Sequence, residues 1–146
     1  MRSEIMKFIN QESLGILDRQ ERKIKVLIVE HSASFQKIFE ELLKELENHF
    51  KWLIVNDFDF SKKEKILEYD IVIIDLYLQN REGLKIYRNL KKIDVENNIK
   101  FIISHGLGGL DEVNESIKNN EIQYRLWKPI NIEEFYEQII IDVEKG

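Results

Sequence analysis

The chain has 146 residues, of which 43% are hydrophobic and 34% charged, with 22 basic against 27 acidic side chains and a formal net charge of −5. That length suits one domain able to bury a core, and lysines dispersed among glutamates form no basic stripe for a nucleic-acid backbone. The absence of cysteine excludes disulfides, thiolate nucleophiles and cysteine-based zinc sites.

Apolar runs such as Ile71 to Ile74 are far too short to span a membrane, and the first ten residues interleave charge with apolar side chains, unlike a signal peptide. A cytoplasmic protein without membrane or nucleic-acid partners is expected. Residues 1–22 read as a helical N-terminal extension, mildly amphipathic through Ile5, Phe8, Ile9, Ile16 and Leu17. It would either pack on the domain or serve as a docking or dimerisation arm.

A first strand is expected over Ile24–Val29, stopping at Glu30 and His31. Phe35, Ile38, Phe39, Leu42, Leu43 and Leu46 then follow helical spacing, with His49 incidental at that helix's end. Further strands are expected at Trp52–Asn56, Asp70–Leu76, Lys100–Ser104 and Ile122–Trp127. Shorter helices fall near Lys62–Glu68, Leu84–Lys91 and Leu110–Lys118. A final helix carries Ile132, Phe135, Tyr136, Ile139, Ile140 and Val143, with Asn131 as N-cap and Glu133 and Glu134 in its first turn.

Strands alternating with helices imply βαβ crossovers, so residues 23–146 are expected to form a doubly wound α/β domain. Runs such as "VLIV" and "IVII" do not alternate with polar residues, as expected of strands covered on both faces. The expected sheet is five-stranded and parallel, in order 2-1-3-4-5, with a ligand crevice at the carboxyl ends of its strands. Those ends carry Glu30 and His31, Asp75, Ser104 and His105, and Lys128-Pro129. An acid pair, a hydroxyl and an ammonium grouped there could handle an anion and a hard cation together. The stretch Gly106-Leu107-Gly108-Gly109 follows the fourth strand and has Asp111 where a third glycine would stand, so it fails as a nucleotide-phosphate loop.

With "VLIVEH" at the first strand, "DIVIIDLYLQNREGL" at the third, "FIISHG" at the fourth and "LWKPI" at the fifth, residues 24–143 resemble a response-regulator receiver domain of the chemotaxis-regulator-like, flavodoxin-like fold. The interval from Asp75 to Gly83 matches that family's spacing from phosphoacceptor to loop glycine. The resemblance implies that Asp75 takes phosphate from a histidine kinase or phosphotransfer protein, in a two-component phosphorelay. It implies that the Ser104 hydroxyl turns toward the phosphoryl group, that Lys128 neutralises it, and that the Lys128–Pro129 bond is cis. Glu30, Asp75 and the Tyr77 backbone carbonyl would hold magnesium, and the output would be binding to a downstream protein target; a homodimer is the other association left open, through the N-terminal arm. The glycine-rich loop lies where receivers signal to partners.

Three positions depart from that pattern. His31 replaces the second acid of the magnesium pair, and imidazole is a poor ligand for a hard, oxygen-preferring ion. His105 replaces a small residue, where it is expected to crowd the phosphoryl donor. Arg125 stands where many receivers carry a switch aromatic, with Tyr124 one position away. Three readings follow. Phosphorylation survives with weakened magnesium binding; or a charged His31 replaces the metal in a pseudo-receiver or adaptor that works without phosphate; or His31, His105, Asp75 and Glu30 bind zinc or manganese. An enzyme of another class would use Asp75 as a phosphatase nucleophile, but the general acid expected two residues later is Tyr77. No enzyme is expected. Because Gly146 directly follows the last helix, the expectation is a stand-alone receiver.

Overall fold

The computed structural model describes residues 7–78 and 83–140. Ile5, residues 79–82 of the third-strand motif and Val143 lie outside them. In chain order the elements are α1 (Gln11–Arg19), β1 (Ile24–Val29), α2 (Ala33–Lys44), β2 (Phe50–Val55), a 3-10 segment (Phe60–Glu68), β3 (Ile71–Asp75), α3 (Gly83–Ile93), β4 (Lys100–His105), a 3-10 turn (Leu107–Gly109), α4 (Leu110–Lys118), β5 (Arg125–Trp127) and α5 (Ile132–Ile139). The strands form one parallel sheet in the order β2-β1-β3-β4-β5, as expected from the alternation of elements.

Period-two alternation divides the core between the sheet's two faces. Ile24, Val26, Ile28, Ile71, Ile73, Ile102 and Leu126 pack with Phe39, Leu42 and Leu43 of α2 and Phe135, Tyr136 and Ile139 of α5. The intervening residues Leu27, Val29, Val72, Ile74, Phe101 and Ile103 pack with Ile66, with Leu84, Ile86, Tyr87 and Leu90 of α3, and with Val113 of α4. Helix α1 joins the first cluster through Leu14 and Leu17, and the preceding Ile9 is buried there too. Asn10 caps α1 by accepting from the Ser13 N–H at 2.7 Å, and Asn131 caps α5 by accepting from Glu134 N–H at 2.9 Å.

Several elements differ from their expected limits. Residues 60–68 form a 3-10 segment broken at Lys62 (φ −116°, ψ 29°) instead of an α-helix, and Leu53 on β2 is half exposed. β2 begins at Phe50, whose ring is buried despite the flanking His49 and Lys51. β5 is confined to three residues, because Glu121 and Ile122 donate backbone N–H groups to Ser116 O and close the end of α4. Asn120 takes the left-handed conformation (φ 60°) that such a helix stop requires.

At the amino end of the sheet, Asp70 accepts a two-pronged Arg22 contact at 2.8 Å per prong and the Lys25 N–H at 2.9 Å. Burial pushes the Asp70 carboxyl up, but the Arg22 fork and the Lys25 N–H outweigh it and hold the carboxyl below its ordinary value. Its contribution to stability is therefore complete above the unfolded-state value of ~3.9 and is lost as pH falls through the lower folded value. Asp70→Asn should cost about 1 kcal/mol at neutral pH, discounted because Arg22 is largely exposed. In urea titrations the variant and the wild type should converge in strong acid.

Candidate functional site

The carboxyl ends of four strands place Glu30, Asp75, Ser104 and Lys128 on the same side of the sheet. Asp75 is in register with Ser104, and Ser104 with Leu126, whose side chain faces the α2–α5 side; Lys128 follows two residues later. Glu30 extends β1 by donating its N–H to Val55 O at 2.9 Å. The carboxylates of Glu30 and Asp75 are buried, while His31 is 40% exposed at the rim.

Two bases bracket the carboxylate pair. Lys128 Nζ lies 2.5 Å from Glu30 Oε1 and 3.2 Å from Asp75 Oδ1, and His31 Nδ1 lies 3.1 Å from Asp75 Oδ2 and 3.7 Å from Glu30 Oε2. The Lys128–Glu30 contact is an ion pair without hydrogen-bond alignment at Oε1. The ammonium also sits 4.2 Å from the centre of the Phe35 ring, which fixes its approach. Backbone N–H groups complete the set: Ser32 donates to Glu30 Oε2 and Tyr77 to Asp75 Oδ1, each at 3.1 Å. Gln36 secures the end of β1 by donating to Glu30 O at 2.5 Å and to Asn56 Oδ1 at 2.7 Å.

Burial raises the Glu30 carboxyl above its ordinary value, and the adjacent Asp75 carboxyl raises it further. Lys128 and the Ser32 N–H oppose that shift. Ser104 Oγ is buried and has no hydrogen-bond partner among the described residues. The Lys128–Pro129 bond is cis.

Glu30, His31 and Asp75 each offer a ligand atom, and these atoms lie within 4.8 Å of one another. The two carboxylates fit a divalent cation. The imidazole at the third corner makes the set softer than magnesium prefers.

His105 and Arg125 do not join this group. In register, His105 pairs with Trp127 and Arg125 with Ile103, whose side chain packs on the α3–α4 side, so both point away from Asp75. His105 is fully buried, with its ring 4.6 Å from that of Trp127 and Nδ1 3.2 Å from Gly106 O. It therefore does not crowd the crevice, and it is not part of a metal cluster with Glu30 and Asp75. Burial pushes its imidazole below the ordinary value, partly opposed by the Gly106 carbonyl. Arg125 stacks 5.0 Å from the Trp127 ring and donates to Asn114 Oδ1 of α4 at 2.9 Å. Tyr124 is partly exposed and lies under Lys100 Nζ at 4.3 Å.

A further contact was not anticipated. The Tyr77 hydroxyl donates to Gly108 O, joining the loop after β3 to the loop after β4. Both ends lie between strands, so no hydrophobic period links them in the sequence.

No protein-family model matches the sequence, and no curated protein matches it. Solved structures do. The N-terminal signal receiver domain of a two-component response regulator from Bacteroides fragilis superposes with TM-score 0.67 at 18% identity, covering 83% of this chain and 97% of that one. The signal receiver domain of a DNA-binding response regulator from Colwellia psychrerythraea 34H gives TM-score 0.67 at 24% identity, with 80% and 95% covered. A CheY-like response regulator receiver domain from Methylobacillus flagellatus gives 0.57 at 28% identity, with 77% and 92% covered. Among the described residues no helix is long and apolar enough to cross a membrane. Sheet order, crossovers and these likenesses agree: the fold is that of response-regulator receiver domains.

Proposed function

We propose that the chain is a signalling receiver domain that accepts a phosphoryl group on Asp75 from a histidine kinase or phosphotransfer protein and passes the signal to a partner protein. The observation that carries this reading is the grouping of a buried carboxylate, an ammonium 3.2 Å away and, in register beside it, a buried hydroxyl without a hydrogen-bond partner among the described residues. An Asp75 oxygen forms the new bond to phosphorus as the bond from phosphorus to the donor's nitrogen or oxygen breaks, and the donor keeps that electron pair. Lys128 offsets the charge brought in, and Ser104 Oγ donates to a phosphoryl oxygen. Glu30, Asp75 and the Tyr77 carbonyl would hold magnesium, whose charge would further offset that of the phosphoryl oxygens. The chain is read as a binding module and not an enzyme, since the Tyr77 hydroxyl is committed to Gly108 O instead of standing as a general acid.

A second reading, a pseudo-receiver that works without phosphate, is favoured by His31 Nδ1 at 3.1 Å from Asp75 Oδ2. A charged imidazole there would supply part of what a metal supplies. Intact-mass spectrometry after incubation with acetyl phosphate or phosphoramidate, with and without magnesium, separates the two. Addition of one phosphoryl group, lost in Asp75→Asn, supports the first reading; no addition under either condition supports the second.

His31→Asp would supply a hard oxygen ligand, and magnesium affinity should rise about tenfold. Calorimetric titration of both proteins measures it, and equal affinities would mean that the imidazole is not what limits metal binding.

A further inference from the structure

The glycine-rich segment between β4 and α4 is held in an unusual way. Leu107 is 80% exposed, and a Cβ built on Gly106 would meet nothing within 4 Å. At Gly108 the three nearest atoms to such a Cβ all belong to the Tyr77 side chain, at 3.6 to 3.8 Å, and Gly108 O accepts from the Tyr77 hydroxyl. The same residue's backbone N–H donates to Asp75 Oδ1. Tyr77 thus grips the acceptor carboxylate with its main chain and the β4–α4 loop with its side chain. The link passes between adjacent strand ends, beside the Asp75–Ser104 register pair, where Leu76 N–H donates to Ser104 O at 2.9 Å.

We propose that Tyr77 is a tether that couples the Asp75 carboxylate to the β4–α4 loop, so that whatever displaces the Tyr77 N–H from Asp75 loosens the loop, and loosening the loop relaxes the hold on Asp75. Occupation of Asp75 is the natural trigger, and in this respect the inference deepens the receiver reading and takes Asp75 as the site from it. Besides the Tyr77 contact, the loop is held at its two ends, by His105 Nδ1 at 3.2 Å from Gly106 O and by the Leu110 N–H on Leu107 O; three of its four residues, Gly106, Gly108 and Gly109, are glycine, which gain the most freedom on release. Tyr77 is a positioning residue in this scheme.

Amide hydrogen exchange at Leu110, whose N–H donates to Leu107 O, followed by NMR in the full chain, tests the tether without requiring phosphorylation. Tyr77→Phe deletes only the hydroxyl and should raise exchange there about fivefold, the loss of one ordinary hydrogen bond. Asp75→Ala removes the acceptor of the Tyr77 N–H and should raise exchange at the same amide by a similar factor. Asp75→Asn keeps an oxygen for that N–H and should leave it unchanged. In the Tyr77→Phe background, Asp75→Ala should add nothing further, a non-additivity that simple loosening of the fold would not produce. Unchanged loop exchange in Tyr77→Phe, or fully additive effects in the double variant, would overturn the proposal. Failure of acetyl phosphate to charge Asp75 would instead count against the receiver reading and leave these exchange results to decide the tether.

Discussion

Gly83→Ala should destabilise the protein by about 3 kcal/mol or more, the range of overpacking against parts that cannot yield. A Cβ on residue 83 would stand 2.2 Å from Asp75 O and 2.7 Å from both Leu76 Cα and Leu76 O. All three are backbone atoms, so no side-chain rotation relieves the clash. The Gly83 N–H also donates to Leu76 O at 3.2 Å, which fixes the start of α3 against the strand that ends in Asp75. Relief would have to move either α3 or the acceptor itself. Urea unfolding should show the loss, and phosphate uptake from acetyl phosphate should fall even where the variant remains folded. A variant within about 0.5 kcal/mol of wild type would mean that α3 can retreat from β3 at little cost.

Lys128→Met should cost about 3 kcal/mol near neutrality, because it leaves the buried Glu30 and Asp75 carboxylates facing each other with the rim His31 and the Ser32 and Tyr77 N–H groups but no ammonium beside them. The deficit should depend on pH. Glu30 already stands above its ordinary value through burial and the neighbouring Asp75, and removing Lys128 removes the principal group that opposes this. A carboxyl raised in the folded state binds its proton more tightly there than in the unfolded chain. Its contribution is complete below the unfolded-state value of ~4.3 and is lost as pH rises through the folded one. The penalty in Lys128→Met should therefore grow as pH rises above the unfolded-state value, and Glu30→Gln in the same chain should remove most of that growth. A deficit that does not vary with pH would assign the effect of Lys128 to its packing on the Phe35 ring.

β1, β3 and β4 were legible because short apolar runs that do not alternate with polar residues, "VLIV", "IVII" and "FII", fit strands covered on both faces. The acid, hydroxyl and ammonium at their ends could be grouped by topology alone. His105 was misplaced for a simple reason. It follows Ser104 directly, and in a strand adjacent residues face opposite ways, so one of the two had to leave the crevice. Counting from Ile103 would have assigned His105 and Arg125 to the α3–α4 face. Residues 60–68 looked helical because a few apolar positions can satisfy several periods, whereas the break at Lys62 is a backbone property with no signature in hydrophobicity. Ile122 looked like strand because its apolar side chain is buried, but its N–H closes a helix. The Tyr77–Gly108 bond depends on where two loops meet, which only the assembled sheet decides.

The strand order also has a bearing on how the protein folds. β1 meets β2 across the single helix α2, with Ile24 beside Phe50, and β4 meets β5 across α4, with Ile103 beside Arg125. The β1–β3 pairing, with Val26 beside Ile71, instead closes a segment that contains α2, β2 and the 3-10 stretch, the longest closure in the sheet. Its entropy must be met before its contacts form, so this seam is the natural late step in folding and the natural first step in partial opening. Glu30 and His31 come from one side of it, and Asp75, Ser104 and Lys128 from the other. Parting at β1–β3 therefore dissolves the whole crevice in one event, while the β3–β4–β5 half keeps its pairing.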